Sequence, residues 1–146
     1  MITIQEIQLE SDSKKGNMVV LKESPEAKRL FMMFVGDAEF AAIAKEKGLF
    51  QPKRPLTYEL YLGIMEKLEV DFVGVEIAKV QEDTYYAEVV FRVGGVEHRM
   101  DSRPSDAVAL ALNRKIPIKV SAPLFRRQLT QEQIKEFEGL VKTVKF

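Results

Sequence analysis

The chain has 146 residues and a mass of 16.7 kDa, the size of one domain with one core. With 46% hydrophobic and 30% charged residues it is not a disordered chain. No apolar run approaches the roughly 20 residues of a membrane helix, and the absence of cysteine excludes disulfides, thiolate nucleophiles and sulfur-ligated zinc. The 22 basic residues balance 22 acidic ones, which removes any bulk attraction to nucleic acid or to an anionic membrane.

Residues 1–9 alternate apolar and polar, with a slip between Ile4 and Ile7, and predict a first strand. A turn cluster at 11–17 leads to a strand over 18–22, which Ser24, Pro25 and Glu26 break. The continuous apolar run 30–35 suits a strand buried on both faces. Gly36 and Asp37 open a helix, with Asp37 as its cap and Phe40, Ile43 and Ala44 on one face, and Gly48 stops it. A stiff connector with Pro52 and Pro55 follows. Thr57 is expected to cap a helix over 58–69, with Leu56 and Tyr61 as a hydrophobic staple and a buried stripe of Leu60, Ile64 and Leu68.

Three strands come next, over 70–81, 84–93 and 96–101. Gly94 and Gly95 form a two-residue hairpin turn that sets Val93 opposite Val96, Phe91 opposite His98 and Val89 opposite Met100. Pairing Ile77 with Val89 and Val75 with Phe91 would need an odd loop around Asp83, because a two-residue loop would bring the wrong faces together. The helix 104–114 is apolar almost all round, which predicts a central, buried element. A last strand at 117–121 follows, and a capping box at Thr130–Gln133 starts a helix over 131–144. The expected architecture is α+β: a mixed, largely antiparallel sheet with about four helices, one of them central and buried. Residues 1–127 form the domain, and 128–146 supply a C-terminal helix packed on it or extending from it.

Charge is unevenly spread. Residues 1–98 carry net −5 and residues 99–127 net +5, which marks either an anion-binding face or internal pairing with the acidic part. Lys and Glu dominate the charged set, a lean towards a thermophile. Met1 to Glu6 lack the basic and apolar regions of a signal peptide, so a cytoplasmic location is expected.

Phosphate-binding glycine loops, HExxH and CxxC are all absent. The hairpin register places Arg92 opposite Glu97, a favourable pair, and Glu88 opposite Asp101, a repulsive one. Arg99, Arg103, a divalent cation such as Mg²⁺ or protonation of one acid must offset that repulsion. His98 falls on the apolar face and is expected to be packed in the core or at an interface; as the single histidine it excludes a multi-histidine metal site. The stretch 101–107 gathers Asp101, Ser102, Arg103, Ser105 and Asp106 at a helix N-terminus. Two readings stand: the aspartates bind Arg103 or Arg54 and cap the helix, or the corner recognises phosphate.

Arg54-Pro55-Leu56-Thr57, the strand beginning Thr84-Tyr85-Tyr86-Ala87, and the block Asp101-Ser102-Arg103-Pro104-Ser105-Asp106-Ala107 with its following Leu-Ala run closely resemble the bifunctional nuclease domain family. The resemblance covers roughly residues 17–127. It implies a small, soluble, dimeric α+β domain and, as in plant relatives, nuclease activity on RNA and DNA. The family pattern Arg-Pro-Leu-Thr-His-Asp is altered, with Tyr58 and Glu59 in its last two places. A general base at that histidine would be lost, since tyrosine is a poor base at neutral pH.

A nuclease reading makes Asp101, Asp106 and Glu88 catalytic. Asp101 and Asp106 would hold Mg²⁺ or Mn²⁺, Arg54, Arg103 and Ser105 would bind phosphate, and single-stranded RNA or DNA would be the substrate. The alternative is a non-catalytic dimeric domain that binds an anionic ligand or a protein partner, with the Arg-Pro-Ser-Asp corner structural. A homodimer is expected on either reading, through Phe31, Met32, Met33, Phe34 and Phe125.

Overall fold

The computed structural model describes residues 1–14, 16–27, 29–82 and 84–125. In chain order the elements are β1 (Ile2–Thr3), β2 (Glu6–Asp12), β3 (Gly16–Lys22), β4 (Leu30–Val35), α1 (Asp37–Glu46) and α2 (Thr57–Lys67). Then come β5 (Asp71–Gln81), β6 (Thr84–Val93), β7 (Val96–Ser102), α3 (Pro104–Arg114), β8 (Ile118–Val120) and a 3₁₀ turn at Ala122–Leu124. The architecture is α+β and the pairing largely antiparallel, with β5 and β8 as the parallel pair. Three α-helices stand among the described residues, against an expectation of about four. The expected helix 131–144 lies outside the described residues. None of the described helices is long and apolar enough to cross a membrane.

The strands form two sheets, one in the order β1-β8-β5-β6-β7 and one in the order β2-β3-β4. The expected single strand over 1–9 divides at its slip in alternation. The N–H of Ile4 bonds to Ile118 in the larger sheet at 2.8 Å, while the next N–H, that of Gln5, bonds to Lys22 in the smaller one at 3.0 Å. A phase slip in a strand moves its apolar side chains to the other face. Here the chain resolves it by changing sheets.

The two sheets share a core. Val19, Leu21, Phe31 and Met33 of the small sheet belong to one buried cluster with Val75, Ile77, Ala87 and Val89 of the large one and with α3. Phe31 packs edge-on against Tyr85 at 4.8 Å. Of the residues expected at a dimer surface, Phe31, Met33 and Phe125 belong to this core, and Phe34 is 64% exposed, so β4 is not buried along its whole length. Helix α3 is the central element, with Ala107 to Ala111 all buried. Arg103 precedes it in extended conformation and Pro104 occupies the first helical position, where its missing N–H costs nothing.

The β5–β6 loop has two residues, since Gln81 pairs with Thr84. Faces still match because the register shifts between Ile77 and Lys79, so Ile77 meets Ala87 and Val75 meets Val89. A bulge thus supplies the extra residue expected of the loop. The β6–β7 hairpin has the expected register throughout, with Gly94 and Gly95 at positive φ.

Helix α2 departs most from expectation. Its cap position is Leu56, with Thr57 already helical, and Glu59 reaches back to accept the Leu56 N–H at 3.1 Å. Helix α1 is likewise preceded by Gly36, and Asp37 accepts from Asn17 at 2.7 Å instead of capping. The side chains α2 buries are Tyr58 and Leu62, while Leu60, Ile64 and Leu68 are at least half exposed. The i, i+4, i+8 spacing identifies an apolar face; it does not say what covers that face.

One buried acid sits in the small sheet. Glu10, opposite Met18, is only 2% exposed, and neither carboxylate oxygen has a hydrogen-bond partner. Burial pushes its pKa up to about 7. The folded state therefore binds this proton more tightly than the unfolded state, so stability falls as pH rises from about 4.5 to about 7. Glu10→Gln should match the wild type in urea melts at pH 4.5, and should exceed it at pH 8 by on the order of 1–3 kcal/mol. Equal stability at both pH values would contradict this.

Candidate functional site

The site begins with how α2 is held. Its N-terminal turn is tied to the C-terminal ends of α1 and α3 by polar contacts. The Glu46 carboxylate of α1 accepts a short bond from the Tyr58 hydroxyl and a 2.8 Å bond from the Asn113 amide of α3. Lys45 bridges Glu46 at 3.2 Å and Glu59 at 2.6 Å. Arg114 of α3 donates to the Leu62 carbonyl at 2.8 Å and pairs with Glu66 at 3.3 Å. Burial alone would push the Glu46 carboxyl up, but the bonds from Asn113, Tyr58 and Lys45 hold it below the ordinary carboxylate range. Burial and the adjacent Glu46 push the Tyr58 hydroxyl far up. Tyr58 therefore stays protonated, and its role in place of the family's histidine is that of a structural donor.

Held this way, α2 stands off the large sheet and leaves a cleft of about 860 Å³. Its floor is Phe72, Val89, Phe91 and Met100 of β5–β7, and Tyr61 and Met65 of α2 form one wall. Across the strands, Phe72 pairs with Phe91 and Phe91 with His98. His98 is not a core residue: it is exposed on the edge strand, with its ring stacked on Phe91 at 5.3 Å. Among the described residues no strand covers the outer edge of β7.

Arg103 stands at the cleft mouth. It forks onto Asp106 through Nε at 2.8 Å and Nη2 at 3.2 Å, and its Nη1 reaches Glu39 of α1 at 2.9 Å. Glu39 and Asp106 each lie in the first turn of their helix, where a carboxylate is favoured by the helix dipole. A bond from its own backbone N–H and the Arg103 contact hold Glu39 below the usual carboxylate range. The Arg103 and Asp106 side chains are 64% and 45% exposed, so this pairing is a surface clamp and not a buried network.

Of the other expected site residues, Asp101 also lines the cleft, while Glu88, Ser105 and Arg54 do not. Asp101 is in register with Glu88, and Glu88 with Glu76, in one row on the sheet face opposite the core. Arg99 offsets that acidic row by donating to Glu76 at 2.7 Å, with Glu88 and Glu97 also raising its pKa. Ser105 is buried in the first turn of α3, and Arg54 is exposed on the connector before α2. Among the described residues no three histidine, aspartate or glutamate side chains group as cation ligands. Mg²⁺ takes one or two carboxylates with water, and in this arrangement Asp106 is engaged by Arg103. Sequence reasoning missed Glu39 and Glu46. Glu39 repeats the acidic first-turn position of Asp106. Glu46 takes its main partners from 12 and 67 residues away and leaves no local mark.

Fold and site together define an α+β domain with an apolar cleft between a helix and an edge hairpin, and an arginine–carboxylate clamp at its mouth. The sequence profile of the bifunctional nuclease domain matches residues 19–133, and the chain belongs to that family. It is also similar to two Mycobacterium tuberculosis proteins, the uncharacterized protein MT1877 of strain CDC 1551 / Oshkosh and the uncharacterized protein Rv1829 of strain ATCC 25618 / H37Rv. Each is 33% identical over 109 residues, a stretch that covers 75% of this chain and 65% of the relative.

Two substitutions separate the structural from the exposed parts of the site. Tyr58→Phe should lose about 1.5–3 kcal/mol in urea unfolding, because it removes a bond to a charged, largely buried acceptor. Arg103→Ala should lose no more than about 1 kcal/mol, as expected for an exposed clamp. The reverse order would show that the mouth, and not the Glu46 junction, holds the helices together.

Proposed function

We propose that this domain is a non-catalytic binding module whose cleft takes an apolar, basic segment of a protein partner. The make-up of the cleft carries this reading. Its floor is hydrocarbon and aromatic, and the exposed Leu60, Ile64 and Leu68 extend apolar surface along α2. Exposed apolar surface of this kind serves protein contacts. At the mouth, the donors of Arg103 are already engaged by Asp106 and Glu39, and Asp101 adds another acid nearby. The net charge there is negative. A lysine or arginine is favoured at such a rim and a phosphate is not.

The family match favours a second reading, hydrolysis of single-stranded RNA or DNA. It would require Asp101, Asp106 and Glu88 to share Mg²⁺ or Mn²⁺ after a rearrangement that frees Asp106 from Arg103.

One set of experiments tests both. Short peptides selected from a random library against the immobilised protein should pair apolar side chains with Lys or Arg, and Tyr61→Glu should abolish their binding without unfolding the protein. Single-stranded RNA and DNA should stay intact with the protein and millimolar Mg²⁺ or Mn²⁺. Metal-dependent hydrolysis that disappears in Asp101→Ala would establish the nuclease reading instead.

A further inference from the structure

We infer that the partner segment binds as an extended strand added to the free edge of β7, with its apolar side chains on the cleft side of the sheet and its basic side chains on the opposite side. This inference rests on the reading of the cleft as a peptide-binding site, and adds the backbone conformation and side-chain pattern of the occupant. Strand β7 is the outer strand of the large sheet, and residues 96–101 are all exposed. Proteins blunt exposed strand edges with prolines, lysines or bulges. Strand β7 contains no proline and no lysine, and it pairs with β6 without a register shift. The two-residue turn makes Val93 and Val96 a hydrogen-bonded pair. By alternation, the backbone N–H and C=O groups of His98 and Met100 bond to β6, and those of Glu97, Arg99 and Asp101 point to the free edge. An extended peptide takes its affinity from such a row of donors and acceptors, and its specificity from the side chains on either face.

Met100 belongs to the cleft floor, and His98 extends that floor by stacking on Phe91, itself a floor residue. An added strand places every second side chain on this face, beside Met100 and His98. Apolar residues are favoured there, since Met100 is 60% exposed and gains an apolar neighbour. The intervening positions face Glu97, Arg99 and Asp101. Arg99 is already paired with Glu76 at 2.7 Å, while Glu97 has only a 3.7 Å contact with Arg92. The two acids therefore set the charge of this side of the edge, and opposite charges directly across strands are favourable. The occupant carries one basic residue opposite Glu97 and another opposite Asp101, with apolar residues alternating between them. Another β7 offers a single arginine for the two acids, so a second copy of this chain meets the pattern only in part.

The test uses the acetylated, amidated peptide Val-Lys-Leu-Thr-Leu-Lys-Val and amide hydrogen exchange of the full chain followed by NMR. In the chain alone, the amides of Glu97, Arg99 and Asp101 should exchange rapidly, while those of His98 and Met100 are protected by β6. Saturating peptide should slow the edge amides by on the order of tenfold or more. N-methylation of one alternate set of peptide nitrogens should abolish binding, and N-methylation of the other set should leave it. Glu97→Lys, outside the cleft, should weaken binding about tenfold, and a peptide with glutamate in place of one lysine should recover the loss. Edge amides already protected in the free chain would show that a second copy or another segment holds the edge, and would overturn the proposal. So would edge amides that still exchange rapidly in saturating peptide, or equal binding of the two N-methylated sets. Peptide binding that is lost in Tyr61→Glu but leaves the edge amides unprotected would keep the cleft reading and overturn strand addition. No binding of this peptide at millimolar concentration would overturn strand addition as well, and library peptides that still bind would keep the cleft reading.

Discussion

The carboxylate of Glu46 receives hydrogen bonds from Tyr58 on α2, Asn113 on α3 and Lys45 on its own helix, and the placement of α2 depends on this junction. Beyond its first turn α2 buries little except Leu62. A helix held mainly by packing would bury its apolar stripe, and this one turns Leu60, Ile64 and Leu68 outward. Polar contacts at one end therefore set an angle that hydrophobic burial alone would not choose. The cleft is the space this leaves between α2 and the sheet. Because Glu46 is held below the ordinary carboxylate range, the junction is at full strength above the unfolded-state pKa and weakens as pH falls through the folded one.

The arginines that seemed to mark an anion-binding region serve the same end. Arg99 offsets the acidic row on the open face of the sheet, Arg103 joins the first turns of α1 and α3, and Arg114 ties α3 to α2. Each takes a carboxylate from the acidic part of the chain, so these three positive charges are paired internally. In this state Arg103 has few donors left for a phosphate. The acids of the expected site divide in the same way, with Asp106 held by Arg103 and Asp101 aligned with Glu88.

Much of the fold was legible because it is governed by local rules. The Gly94–Gly95 turn fixed the whole β6–β7 register, including the repulsive Glu88–Asp101 pair and the Arg92–Glu97 pair, which stands at 3.7 Å. The all-round apolar pattern of 104–114 identified the central helix. What was not legible depends on distant partners. The stripe on α2 has helical spacing, yet its exposure is decided by Glu46 and Asn113. The bulge at Ala78 is invisible to alternation because it corrects a parity fault that only the loop length creates. At the site, Arg103 and Asp106 were found by their position at a helix start. Glu39 was not, because its link to Arg103 exists only once α1 and α3 lie side by side.

Amide hydrogen exchange of the wild type and Glu46→Ala tests the central claim most directly. With the junction removed, α2 should open independently, and its amides should exchange much faster while those of α3, β5 and β6 keep most of their protection. Protection retained throughout α2 would show that packing, and not the Glu46 junction, holds this helix away from the sheet.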